Sequence, residues 1–236
     1  MPSHIVSVYD EELKYLARRI SEMGGLAEQM LGDSVRALIN SDVALAQKVI
    51  SDDVILDHAE RDIGEKAIVT IAKRQPMAAD LREIMGAIRI ASDLERVGDL
   101  GKNTAKRVIA VATSGVPRQF ARGLEHLTEL TAAQLKEVLD VYASRSAEKA
   151  NNIRQRDGEI DAIYTSLFRE LLTYMMEDPR NITSCTHLLF CAKNIERIGD
   201  HATNIAETIY YMTTGAQIEG ERPKDDTTAT MRVSGE

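Results

Sequence analysis

Apolar side chains recur every three or four positions along most of the chain, which is the spacing of one face of an α-helix. In the first segment Leu13, Leu16 and Ile20 begin a pattern that continues to Val35. Residues that form turns or cap helices divide the pattern into six segments. They cover approximately residues 8–40, 42–73, 77–113, 119–142, 146–177 and 180–213. The pattern therefore predicts an all-α protein.

Turn-forming residues also predict how the chain is divided. Ser41-Asp42 supplies an N-cap for the second segment, and Gly115-Val116-Pro117 is the strongest break in the chain. Beyond Gly215 the composition becomes polar, as expected for a flexible tail. The predicted units are residues 1–114, residues 118–214 and a tail over residues 215–236.

The second unit repeats the first. With a shift of 101 residues, Ala91–Val108 aligns with Ala192–Ile209 and seven of the 18 positions are identical. Unrelated segments of ordinary composition would share about one. Further upstream, a shift of 104 places Asp53 and Asp57 over Asp157 and Asp161. Helices of about 30 residues are about 45 Å long, and short turns between them favour antiparallel packing. We therefore predict two tandem antiparallel three-helix bundles related by internal duplication.

Acidic residues recur in pairs within this helical pattern, with the second acid four positions after the first. Such a pair shares one helix face and is mildly repulsive. Each pair falls in or beside the apolar sector of its helix, where an unpaired charge costs several kcal/mol. The four pairs are Asp53/Asp57, Glu95/Asp99, Asp157/Asp161 and Glu196/Asp200.

These acids need a positively charged partner. Arg96 and Arg197 are each adjacent to a Glu, so they project about 100° away from it. A bound cation is the more economical partner, and Asn103 and Asn204 add neutral oxygens one turn further along. Oxygen ligands suit Fe, Mn, Mg or Ca. A single pair is more often a solvated stripe or an ordinary ion pair, but the fourfold recurrence favours metal.

Other chemistry is less well supported by the sequence. No His has a Glu three residues before it, as a di-iron oxidase site requires, and no phosphate-binding loop is present. Cys185 and Cys191 point to different sides of one helix, which favours buried reduced thiols. Gly98 and Gly199 interrupt helices. Close approach of a neighbouring helix is the preferred explanation, and space for a metal cluster is the alternative.

Charge and hydropathy narrow the possible partners. The formal net charge is -8, without a basic stripe, which argues against binding to nucleic acid or anionic lipid. The N-terminus lacks the pattern of a signal peptide, and no apolar run approaches the ~20 residues that span a bilayer. We expect a cytoplasmic protein whose membrane contact comes only through partners.

Three segments carry a resemblance to a known family. They are Gln75–Arg82, the LERVGD sequence of Leu94–Asp99 and the IERIGDHATNIAE sequence of Ile195–Glu207. With them the chain resembles the PhoU family of phosphate-signalling proteins, from about Tyr9 to Gly215. The resemblance implies a double three-helix bundle in which paired acids bind multinuclear clusters of iron, manganese, zinc or magnesium.

The resemblance also implies which residues face one another. The pair Asp53/Asp57 would face Glu95/Asp99, and Asp157/Asp161 would face Glu196/Asp200, with Asn103 and Asn204 as further ligands. Candidates for supporting positions around the ligands are Asp80, Arg96, Arg197 and His201. The halves differ, because Asp80 corresponds to Asn181 and Leu100 to His201.

The implied role is regulatory. Members of the family are cytoplasmic, are often homodimers and negatively regulate the phosphate (Pho) regulon and phosphate uptake. They are thought to connect the ATP-binding subunit of a phosphate ABC transporter to a sensor histidine kinase. Metal storage and metal-dependent hydrolysis are the alternatives. No general acid or base is evident beyond the predicted ligands, so we expect an adaptor rather than an enzyme.

Overall fold

The computed structural model describes residues 2–112, 115–220, 222, 226 and 228. Within them the chain forms seven α-helices and one 3-10 turn, and no β-strand. The α-helices are α1 (Pro2–Asn40), α2 (Val43–Arg74), α3 (Ala78–Val111), α4 (Arg118–Ser144), α5 (Ala147–Gln155), α6 (Gly158–Glu177) and α7 (Ile182–Thr214). The 3-10 turn, Pro179–Asn181, leads into α7. The predicted all-α class is confirmed.

Most of the predicted breaks between helices agree with the structure, but one break was not predicted. Asp42 caps α2, and its carboxylate accepts a hydrogen bond from Leu45 N at 2.9 Å. The predicted fifth segment is instead two helices, because the chain breaks at Arg156-Asp157 between α5 and α6. Gly158 is a poor helix former, and the Asp157 side chain is held by partners outside its own helix. Apolar spacing alone does not reveal such a break.

Each half of the chain forms a three-helix bundle. Helices α1, α2 and α3 pack together, and α4, the α5–α6 pair and α7 repeat the arrangement. The interior of the first bundle contains Ile20, Ile63 and Leu94, and that of the second contains Leu135 and Ile195, all fully buried. The two tandem bundles are therefore those predicted from the duplication.

The bundles are joined through equivalent helices. Helix α3 packs along α7, and α1 packs against α4. A Cβ at Gly86 of α3 would collide with Met212 of α7, so a side chain of minimal size is required there. His201 Nδ1 lies 2.8 Å from Asp93 Oδ1 across the same contact. This seam brings the last helix of each half to the centre of the molecule.

Close helix packing explains the two interrupting glycines. A Cβ at Gly98 would collide with Leu56 Cδ1, and one at Gly199 would lie 2.9 Å from Ile160 Cδ1. Leu56 and Ile160 are buried on α2 and α6. The preferred explanation, close approach of a neighbouring helix, is therefore confirmed for both positions.

Both cysteines are buried and free, as expected. Burial raises the pKa of the Cys191 thiol to about 12, so it stays protonated at neutral pH. In the part of the chain that the structure describes, no helix is long and apolar enough to cross a membrane.

Two carboxylate clusters as the candidate site

The first candidate site lies between α2 and α3. We call its four acids the first cluster: Asp53, Asp57, Glu95 and Asp99. Lys102, three residues after Asp99, donates hydrogen bonds to Asp53 Oδ2 and to Asp99 Oδ1, the latter at 2.6 Å. A single ammonium group therefore connects the predicted pairs of the two helices. Asp53 is buried, whereas the other three acids are half-buried at the edge of the bundle.

Negative charge is crowded in the first cluster. Burial raises the pKa of Glu95, and the charge of Asp99 raises it further, followed by those of Glu60 and Asp57. Burial also opposes ionisation of Asp99, but the bond and charge of Lys102 and the charge of Arg96 lower its pKa overall. Arg96 Nε lies 3.5 Å from Glu95 Oε2 and opposes this rise, but the pKa of Glu95 remains raised.

The second candidate site lies where α5 and α6 meet α7. The second cluster consists of Asp157, Asp161, Glu196 and Asp200. Its acids are more deeply placed, since the exposed fractions of Asp157, Asp161 and Glu196 are only 2%, 4% and 4%. The Thr203 hydroxyl donates to Asp157 Oδ1 at 2.7 Å. Full burial of charged oxygens makes their partners energetically decisive.

Arg222, from the segment after α7, is the main cation of the second cluster. Its Nη2 donates to Asp157 Oδ1 at 2.7 Å and to Asp200 Oδ1 at 2.6 Å. Its Nε donates to the other oxygen of Asp157. The guanidinium therefore bridges the helix break before α6 to α7, with two bonds to one carboxylate.

Glu196 is the least satisfied acid in the second cluster. Lys193 donates to Glu196 Oε1 at 2.9 Å. The other oxygen, Oε2, is buried and makes no hydrogen bond to any residue that the structure describes. Burial raises the pKa of Glu196 to about 7, against the lowering effect of Lys193, and Asp200 and Asp161 add to the rise. A buried carboxylate oxygen of this kind attracts either a proton or a cation.

The expectation that protein side chains would not meet these acids is wrong. Lys102, Lys193 and Arg222 all do so. Arg96, predicted to project away from its neighbouring Glu, lies 3.5 Å from Glu95 Oε2 and 3.2 Å from Asp99 Oδ2, because its long side chain bends back to the acids. Lys102 could have been found, because a Lys three residues after an Asp shares its helix face. Glu60, whose charge helps to raise the pKa of Glu95, was not predicted either, although it lies three residues after Asp57 and so shares its helix face. No local pattern connects Arg222 to Asp157, which precedes it by 65 residues.

The remaining predicted residues are more dispersed. Asn204 Oδ1 lies 3.5 Å from Arg222 Nη1, at the edge of the second cluster, while Asn103 and Arg197 are exposed. Asp80 lies in the first turn of α3, about four turns before Glu95, and its charge adds to the rise that burial causes in the pKa of Tyr9. His201 faces Asp93 of the other half rather than the acids of its own.

The donor set fits a hard cation, but the arrangement is one of ion pairs. Carboxylate oxygens are the ligands preferred by Mg²⁺, Mn²⁺ and Ca²⁺. Across residues 2–112, 115–220 and the three described tail residues, no three His, Cys, Asp or Glu side chains are grouped to hold one metal ion. The unbonded Glu196 Oε2 is the observation that favours a cation. Its binding requires Lys102 or Arg222 to move away from the acids.

Comparison with known proteins identifies the family. The model of the PhoU domain matches residues 20–108 and 124–209, which contain both clusters and separate the chain into the two repeats. The chain belongs to the PhoU family. The resemblance that the sequence motifs indicated is therefore confirmed.

Relatives and solved structures agree with this assignment. The chain is 85% identical, over 97% of both sequences, to the "phosphate-specific transport system accessory protein PhoU homolog" of Rhizobium meliloti (strain 1021). A Caulobacter vibrioides protein of the same name is 46% identical over 96% of this chain and 98% of its own length. The crystal structure of PhoU from Pseudomonas aeruginosa has a TM-score of 0.85 and 37% identity, covering 88% of this chain and 100% of that one.

Proposed function

We propose that this protein is an accessory component of a phosphate transport system and regulates phosphate uptake. The observation that carries the proposal is the 85% identity, over nearly the whole chain, to a relative named for that role. A structural neighbour, 27% identical with a TM-score of 0.82 and covering 89% of this chain and 99% of its own, is named a phosphate transport system regulatory protein from Streptococcus pneumoniae.

The finer mechanism that we propose is that of a non-enzymatic adaptor. In it the protein acts in the cytoplasm, as a homodimer, and represses the Pho regulon while phosphate is abundant. Its partners would be the ATP-binding subunit of a phosphate ABC transporter and a sensor histidine kinase. The family motifs in Leu94–Asp99 and Ile195–Glu207 support this role.

Deletion of the gene tests the regulatory role. In phosphate-rich medium, the deletion strain should express phosphate-scavenging genes that the parent strain keeps repressed, and phosphate uptake should rise. A plasmid copy of the gene should restore repression. Normal repression in the deletion strain would contradict the proposal. Affinity purification from the parent strain, with the two proposed partners identified by mass spectrometry, tests the adaptor mechanism separately.

We further propose that both clusters bind divalent or trivalent metal ions. Asp53, Asp57, Glu95 and Asp99 would hold the first group of ions, and Asp157, Asp161, Glu196 and Asp200 the second. A bound metal would supply positive charge to acids that otherwise depend on Lys or Arg. The carboxylate chemistry and the unbonded oxygen of Glu196 support this proposal.

Metal analysis of purified protein tests the cation sites. Wild-type protein should carry iron, manganese, zinc or magnesium above background, and the variant Asp99→Ala/Asp200→Ala should lose most of it. Asp140→Ala removes an exposed acid from α4 and serves as the control. Equal metal contents in the wild-type protein and the double variant would count against metal binding at the clusters.

A further inference from the structure

The two clusters obtain their positive charge from different parts of the chain. Under the 101-residue shift, Lys102 of the first half corresponds to Thr203 of the second. Both donate a hydrogen bond to the equivalent carboxylate, Lys102 to Asp53 and Thr203 to Asp157. The threonine hydroxyl brings no charge. The charge missing from the repeat is supplied by Arg222, which lies outside it.

The segment that carries Arg222 is attached to the second bundle at three points. Arg154, itself buried, donates to the Gly220 carbonyl at 2.7 Å, two residues before Arg222. Arg222 makes the central contact with the second cluster. Asp226 then accepts a bond from Lys193 at 2.8 Å, so the residue that neutralises Glu196 also holds the tail.

The two cations differ in how they can leave. Lys102 belongs to α3, and its backbone is fixed by the helix three residues from Asp99. Arg222 lies eight residues beyond Thr214, the last residue of α7. Residues 215–220 and 222 lie outside any helix, so the guanidinium can withdraw together with this backbone. Ordering such a segment costs conformational entropy, which opposes its contacts.

We propose that Arg222 is an exchangeable counter-ion of the second cluster, which a divalent cation displaces, releasing the tail after Gly215. The inference rests on the proposed cation binding and specifies how it is regulated. A divalent ion bound at the second cluster would supply two charges instead of one. It would also offer a bond to Glu196 Oε2, which neither Lys193 nor Arg222 reaches. In the first cluster the bridging cation, Lys102, is part of its own repeat and cannot withdraw with a tail segment.

Titration with Mn²⁺ tests the exchange. An Asp99→Ala background disables the first cluster, so that the paramagnetic resonance signal of free Mn²⁺ reports binding to the second. In this background Arg222→Gln should tighten Mn²⁺ binding by about tenfold or more, since it removes charge-assisted bonds that the ion must otherwise break. Arg222→Lys keeps the charge and should recover much of the wild-type affinity. Asp226→Asn weakens the attachment of the tail at a residue that bonds to Lys193 and to none of the four acids, and it should tighten binding by a smaller factor.

Proteolysis supplies a second measurement that does not depend on affinity. Trypsin can cut after Lys224, two residues beyond Arg222. Saturating Mn²⁺ should speed this cleavage several-fold in the Asp99→Ala protein. In the Arg222→Gln variant cleavage should be fast without Mn²⁺ and unchanged by it. Mg²⁺-free buffer containing a chelator gives the reference rate for each protein.

The possible results distinguish the exchange of Arg222 from cation binding itself. Equal Mn²⁺ affinity with and without Arg222→Gln, or weaker binding by the variant, overturns the exchange while leaving cation binding intact. Cleavage after Lys224 that ignores Mn²⁺ overturns it as well. Failure of every variant to bind Mn²⁺ overturns the exchange and the cation proposal together.

Discussion

The two halves of this chain hold the same acids in the same places and neutralise them by different means. In the first half, Lys102 from the repeat itself bridges Asp53 and Asp99. In the second half, the corresponding bridge between Asp157 and Asp200 is made by Arg222 from beyond the last helix. The duplication has thus retained the acids and not their counter-charges. The acids are the common feature of the two sites, and the basic residues are what makes the sites differ.

The two clusters also differ in how deeply their glutamates are buried. Glu95 and Glu196 occupy equivalent positions, but Glu95 is half-buried and Glu196 is 4% exposed. The pKa of both is raised chiefly by burial, and for Glu196 it reaches about 7. The second cluster is therefore the one in which an ionised glutamate most strongly opposes folding when no metal is present.

The sharpest way to test this contrast is the pH dependence of stability in the presence of a chelator. A carboxyl with a raised pKa in the folded state binds protons more tightly there than in the unfolded chain, so stability falls as pH rises from about 4.5 to about 7. Glu196→Gln should remove this fall and exceed wild-type stability by up to about 3 kcal/mol above pH 7. Urea denaturation at several pH values measures it.

Glu95→Gln is the matched variant in the first half. Its gain should follow the same sign and be smaller, because Glu95 is less buried. Equal gains from the two substitutions would show that the clusters are electrostatically equivalent. A loss of stability in Glu196→Gln at pH 8 would show that the charge of this residue is well compensated by Lys193.

Removal of the bridging cations tests the origin of the counter-charge. Lys102→Met should lower the free energy of unfolding by about 2 kcal/mol, because it leaves the buried Asp53 facing Asp99 without its cation. Arg222→Met should lower it by only about 1 kcal/mol, since the released tail regains conformational freedom and Thr203 still bonds Asp157. Urea denaturation at pH 7 without metal compares them. A larger loss of unfolding free energy for Arg222→Met than for Lys102→Met would contradict this expectation.

Substitution of the equivalent glycines gives the smallest predicted difference. Gly98→Ala should destabilise by about 1 kcal/mol, since the clash with Leu56 outweighs the gain in helix propensity. Gly199→Ala should be nearly neutral, because its Cβ would lie 2.9 Å from the flexible end of Ile160. Gly64→Ala, in α2 with open space around it, should stabilise by about 0.5–1 kcal/mol. Thermal unfolding of the three variants measures these differences.

Much of the fold could be predicted because its determinants are local or repeated. Apolar periodicity located the long helices, and Asp42 marked the start of α2 through a cap that involves only its own neighbours. The match of Ala91–Val108 to Ala192–Ile209 then defined two equivalent bundles. The break between α5 and α6 was missed, because the apolar face continues across Asp157 and the partners of that residue lie on distant segments.

The acids of the candidate site were predictable from the sequence, and its cations only in part. The i, i+4 acids sit on single helices, so their spacing reveals a shared face. Lys102 also lay within reach of such an argument, three residues from Asp99. Arg222 did not, because it lies beyond the last helix, where the sequence has no periodic pattern that would indicate its position. His201 was likewise misjudged, since its partner Asp93 belongs to the other repeat.

The seam between α3 and α7 has a consequence for how such a chain can evolve. Contact between like elements, α3 with α7 and α1 with α4, is the arrangement of an isologous interface in a symmetric dimer. This chain is in effect a dimer of one repeat whose two subunits share a single backbone. Because the two repeats are fused, a substitution that produces a residue such as Lys102 or His201 occurs in one repeat and not in the other. In a dimer of two identical chains both copies would carry every substitution, whereas the fused repeats can differ from each other.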